Sequence, residues 1–136
     1  MTEQDVQEFV TKFAAAWASR SGDAFLKLWH PDGVLHSPLY DRPVVGKEFG
    51  RLTDFVNEVA PDLVWQLLDW TWRGDVVIVE WQTTRIRGGV RLGTRGVDKF
   101  RLCEGRIVEE RVYTDTAPLR AAQRGERVEP LVRLAI

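Results

Sequence analysis

The sequence predicts an α+β domain in which helices gathered towards the N-terminus close over a curved antiparallel sheet. Apolar residues recur at helical spacing over residues 3–20, 25–29 and 47–60. From about residue 63 to residue 114 apolar and polar side chains alternate in four stretches, parted by glycine-bearing turns. Helices grouped first and strands grouped after exclude the alternating order of a parallel α/β sheet.

Each element has its own signal. Thr2 with Asp5 three residues on is a capping pair, and Val6, Phe9, Val10, Phe13 and Trp17 then predict an amphipathic helix over 3–20. Ser21-Gly22-Asp23 breaks that helix and supplies a new N-cap, and Phe25, Leu26, Leu28 and Trp29 predict a short second helix that stops before Pro31. Asp32-Gly33 turns the chain into a short strand, Val34-Leu35-His36-Ser37, ended by Pro38. The loop that follows, through Tyr40, Asp41 and Pro43, is expected to border an opening. From Lys47, the spacing of Phe49, Leu52, Phe55, Val56 and Val59 predicts a third helix, which Ala60-Pro61-Asp62 ends. Strands follow at about 63–73, 75–86, 91–103 and 106–114, and Leu119, Arg120 and Gln123 fit a short terminal helix.

A chain of 136 residues suits one domain, 1–136, with a proper core. Its 19 basic residues nearly cancel 20 acidic ones, so no global field draws in nucleic acid or a membrane surface. Cys103 stands alone, which excludes an internal disulfide and a multi-cysteine metal site and fits a reducing, cytoplasmic setting. The Met1-Thr2-Glu3-Gln4-Asp5 start lacks a signal-peptide pattern, and no segment nears the roughly 18 apolar residues of a membrane span. No phosphate-cradling loop, zinc spacing or Gly-x-Ser-x-Gly motif is present, and neither metal nor cofactor is expected. Six tryptophans, by contrast, point to an aromatic-lined interior that takes a small apolar or aromatic molecule.

The informative stretch is Arg95-Gly96-Val97-Asp98-Lys99-Phe100-Arg101-Leu102, where a period of two puts Asp98 on one face with Phe100 and Leu102. A carboxyl among apolar residues is costly unless partnered or protonated, and a protonated one donates a hydrogen bond. A three-residue loop Cys103-Glu104-Gly105 places Asp98 opposite Glu110, and two carboxyls on one face leave one protonated. A two-residue turn places Asp98 opposite Arg111 as an ordinary ion pair. His36 is a candidate base, although alternation alone allows either His36 or the Leu35 and Ser37 pair to face inward. Trp81 shares parity with Val77 and Val79 and is expected inside. Arg85, Arg87, Arg91 and Arg95 around the Gly88-Gly89 turn read as a solvated face.

The element order, with Val97-Asp98-Lys99-Phe100-Arg101, Gly105-Arg106-Ile107-Val108-Glu109 and Tyr113-Thr114-Asp115-Thr116, resembles the nuclear-transport-factor-two-like superfamily over nearly the whole chain. That is the cone-shaped, cystatin-like fold of ketosteroid isomerase, limonene epoxide hydrolase and SnoaL-like polyketide cyclases. The resemblance implies that Asp98 is an acid, base or oxyanion donor. It sets Ser37 where ketosteroid isomerase has its general-base aspartate, Phe13 where it has its tyrosine, and Val112 where the epoxide hydrolase has its final aspartate. These departures argue against both activities and leave a SnoaL-like role, with His36 near a histidine common in that group. The resemblance also implies that Glu110, Val112 and Thr114 face a pocket while Arg111 and Tyr113 face outward, where many relatives form homodimers.

The expected function is therefore a proton-transfer isomerase or aldol-type cyclase for an apolar ketone or polyketide, with Asp98, His36 and Glu110 as catalytic candidates. Phe13, Trp17, Trp29, Ser37 and Tyr40 are expected to line its pocket, together with Phe55, Trp81, Phe100, Val112 and Thr114. A ligand-binding or dimeric accessory domain without chemistry is the alternative.

Overall fold

In the computed structural model, which describes residues 1–136, Thr2 and Asp5 cap each other at the head of the first helix. Asp5 N–H donates to Thr2 Oγ1 at 3.2 Å and Thr2 N–H to Asp5 Oδ2 at 2.7 Å, satisfying donors that the first turn leaves free. Helix α1 (Glu3–Ser19) buries Val6, Phe9, Val10, Phe13 and Ala16 along one stripe. It ends at Arg20, whose backbone is left-handed (φ 55°) and whose side chain donates to Leu63 O at 2.7 Å and Ala60 O at 2.8 Å. Ser21 caps α2 (Gly22–Leu28).

The second helix stops one residue earlier than its spacing predicts, and Trp29 opens strand β1 (Trp29–His36) instead. Pro31 forbids helix before it, and parallel pairing of Trp29 with Ile107 recruits the residue to the sheet. A two-residue strand, β2 (Val44–Val45), and a single 3₁₀ turn (Gly46–Glu48) lead into α3 (Phe49–Val59). The long strands are β3 (Val64–Arg73), β4 (Val76–Arg87), β5 (Val90–Cys103) and β6 (Arg106–Thr114), followed by α4 (Ala117–Gln123).

These strands form one sheet in the order β2-β1-β6-β5-β4-β3. The sheet is mixed rather than wholly antiparallel: β1 returns after two helices and runs parallel to β6. Helices lie over its inner face. Phe100 is the centre of the core between them, with its ring edge-on to Phe9 at 5.1 Å and to Phe13 at 4.9 Å.

The register of β5 on β6 follows neither alternative read from the sequence. The turn has two residues, Glu104 and Gly105, both at positive φ, and Cys103 pairs with Arg106. A bulge between the Leu102–Ile107 and Arg101–Glu109 pairs then absorbs Val108, so Asp98 sits opposite Val112 and Glu110 opposite Phe100. Asp98 and Glu110 are thus diagonal neighbours on one face, and Arg111 pairs with Lys99 on the other.

Candidate functional site

The sheet's pairing decides which side chains meet inside. Along β4, Val77, Val79, Trp81 and Thr83 are buried, and Asp98 and Phe100 face the same way on β5. Trp81 lies opposite Gly96, where an added Cβ would collide with the indole. The absent side chain lets the ring lie down on the strand, and its Nε1–H donates to Asp98 Oδ1 at 2.9 Å.

Asp98 is 4% exposed and Glu110 5%. Burial raises both carboxyls: Asp98 goes to about 6, restrained by hydrogen bonds from Trp81 and Glu110. Glu110 goes well above the ordinary range, through burial, the charge of Asp98 and the hydrogen bond they share. The pair therefore holds one proton near neutrality, with Glu110 as donor and Asp98 as acceptor. The Trp81 indole N–H favours the charged form of Asp98.

Tyr40, on the loop after β1, feels the charge of Glu110. Burial, and then the charge of Glu110, push its phenol up to about 12, while Arg85 acts in the opposite sense. Tyr40 thus stays a neutral hydrogen-bond donor. The loop is pinned at its far end, where Arg42 Nη1 donates to Glu48 Oε1 at 3.0 Å and Glu48 also accepts Val45 N–H at 3.0 Å.

His36 does not join the carboxyls. Leu35 pairs with Glu110 and is buried, which turns His36 towards the outer face beside Arg111. With Ser37, Tyr40 and Val112 it lines a cavity of about 340 Å³. A second cavity of about 550 Å³ lies by the β5–β6 turn, and Asp98 lines neither.

Among the other expected pocket residues, Phe13 and Phe100 are core, and Trp17 stacks on Trp65 at 5.9 Å near the end of α1. Thr114 Oγ1 donates to Arg95 O at 2.8 Å. Trp29 is a correction, since it is buried against Phe49 at 4.3 Å and belongs to the opposite end of β1 from Glu110. Phe55 is another: it is 53% exposed, because α3 buries its Phe49 and Thr53 side.

Trp65 and Arg85 were missed. Strand parity could have found Trp65, which pairs with inward Thr83. Arg85 also follows the parity of Trp81 and Thr83, a signal hidden by its arginine-rich surroundings. No cluster of three or more His, Cys, Asp or Glu side chains could hold a metal ion.

Several solved structures share this fold. AclR, a proposed hydroxylase from Streptomyces galilaeus, is 21% identical with a TM-score of 0.76, covering 96% of this chain and 87% of its own. IdmH from Streptomyces antibioticus, a proposed polyketide cyclase, is 20% identical with a TM-score of 0.74, over 87% of this chain and 97% of its own. TerC, co-crystallised with polyporic acid, is 16% identical with a TM-score of 0.74, over 85% and 95%. At such identities the likeness is one of fold. No curated protein sequence is significantly similar. The family model of the SnoaL-like domain matches residues 10–110, and the chain belongs to that family, within the nuclear-transport-factor-two-like superfamily.

Proposed function

We propose that the protein binds a small, mostly apolar ketone or polyketide and moves a proton on it, as an isomerase or aldol-type cyclase that needs no cofactor. The observation that carries this reading is the buried Asp98–Glu110 pair, diagonal across β5 and β6, with the Trp81 indole N–H on Asp98 and both carboxyls raised by burial. Asp98 carboxylate takes a proton from the carbon beside a carbonyl, the C–H electron pair moves to the oxygen, and Glu110 supplies a hydrogen bond to the enolate formed. Polyporic acid in TerC shows an aromatic guest in a protein of this fold and supports the ligand class. Because neither carboxyl lines the 340 Å³ cavity, the reading requires the Ser37–Pro43 loop, which carries Tyr40, to swing aside and join that cavity to the carboxyls. A cytoplasmic setting and a homodimer joined through the outer sheet face complete the reading.

The test follows hydrogen–deuterium exchange at the acidic carbon of 2-tetralone by NMR. Exchange at least 100-fold above buffer, abolished in folded Asp98→Asn, is the expected result. Exchange at the buffer rate in the wild type would reject the enzyme reading.

Binding without turnover is the second reading, favoured by the aromatic packing around Asp98 and by its absence from both large cavities. It requires saturable quenching of tryptophan fluorescence by the same ketone with no exchange.

A further inference from the structure

We propose that Arg85 is an anion-binding residue at the mouth of the cone, and that the ligand is an apolar molecule bearing a carboxylate or an acidic phenol or enol. This rests on the pocket reading above and assigns the charge of its ligand.

Arg85 continues the inward row of β4, two residues beyond Thr83, and it pairs across the ladder with Leu92. It is half-buried, and its Nε is shut off from solvent without a partner. Most arginines here are unpaired but open to water; Arg85 forms no ion pair either, and it alone among them has a side-chain nitrogen shut off from solvent without a partner. Asp62, whose charge acts on Arg85, already accepts Ile86 N–H at 2.6 Å, and Arg87 adds a second positive charge. A buried donor left unsatisfied is expensive, and an arginine fork matches a planar oxyanion.

An independent observation comes from the aromatic wall. Trp17 Nε1 is also buried without a partner, and its ring lies parallel to that of Trp65, whose partner across the ladder is Thr83. Arg85 and Trp17 thus each leave a buried N–H without an acceptor, and Trp65, stacked on Trp17, pairs with Thr83 two residues before Arg85. An oxyanion on a planar body suits these donors and the stacked indoles.

The experiment titrates anthraquinone-2-carboxylate and its neutral carboxamide, reading tryptophan fluorescence in the wild type, Arg85→Gln and Arg85→Lys. The carboxylate is expected to bind the wild type at least 10-fold tighter than the carboxamide. Arg85→Gln should erase that preference with carboxamide affinity within two-fold of wild type, and Arg85→Lys should restore part of it. Equal binding of both probes to the wild type would overturn the role of Arg85 and leave the pocket standing. Loss of both probes together in folded Arg85→Gln would make the residue structural and overturn it as well. If neither probe binds the wild type, the pocket reading falls and this assignment with it. Equal binding of both probes to the wild type overturns the proposal even if the variants fail to fold, and Arg85→Lys, which keeps the charge, is the second variant that assigns a preference to this position.

Discussion

Asp98 and Glu110 tie the stability of the molecule to pH. Both are raised above the ordinary 3.8 and 4.5 of free carboxyls, so the folded protein keeps protons that the unfolded chain has released. Stability is then full below about pH 4 and falls as pH rises through 6 and beyond, by on the order of 3 kcal/mol for Asp98 alone. Glu48, lowered to about 2 by its hydrogen bonds from Arg42 and Val45, acts in the opposite sense and only at stronger acidity. Thermal denaturation between pH 5 and 8.5 should show the falling limb. Glu110→Gln, which keeps a donor for Asp98 and cannot ionise, should flatten it and raise the melting temperature at pH 8. Gly96 is the silent member of the same site. Gly96→Ala should push the Trp81 indole off Asp98 and cost roughly 1–3 kcal/mol in urea denaturation, with a changed tryptophan emission.

Among the elements, the end of α1 is tied to a part of the chain some 40 residues away. Arg20 accepts a left-handed backbone and in return closes two carbonyls of the α3–β3 link, while its own carbonyl accepts Asn57 Nδ2 at 2.8 Å. Arg20→Ala should lose about 1 kcal/mol in urea denaturation, since Leu63 O loses its donor while Ala60 O keeps the Leu63 N–H. Periodicity made α1, α3 and the four long strands legible to within a few residues, because each has one wet and one dry face. It also brought Asp98 and Glu110 to the same face, though through the wrong turn. What stayed hidden was set by partners distant in the chain. Trp29 reads as the last residue of a helix until Ile107 claims it for the sheet. The side His36 takes depends on β1 lying parallel to β6, which no local pattern states. Arg85 looks like one of four solvated arginines until its ladder places it behind Thr83.

For the whole molecule, the outer sheet face is where a second copy is expected. Tyr113 is 58% exposed there, with half-buried Ile78 and Val97 on the strands beside it. Light scattering after size exclusion should give twice the monomer mass, and Tyr113→Glu should shift the population to monomer; a monomeric wild type would refute the arrangement. The bulge at Val108 also bears on how this chain tolerates change in length. It works like a frame mark in a two-letter code, deciding which alternate residues of β6 are read as interior. With Val108 drawn into regular pairing, Glu110 would face solvent and Arg111 would enter the cone. With Val108 deleted, the hairpin would zip from Cys103–Arg106 to Asp98–Val112 with no residue to spare and both carboxyls still inside. The deletion variant should therefore keep the pH limb of thermal stability. One residue of slack is stored at this point, so the strand can shorten by one and keep its meaning, whereas lengthening by one requires a second bulge to restore the frame.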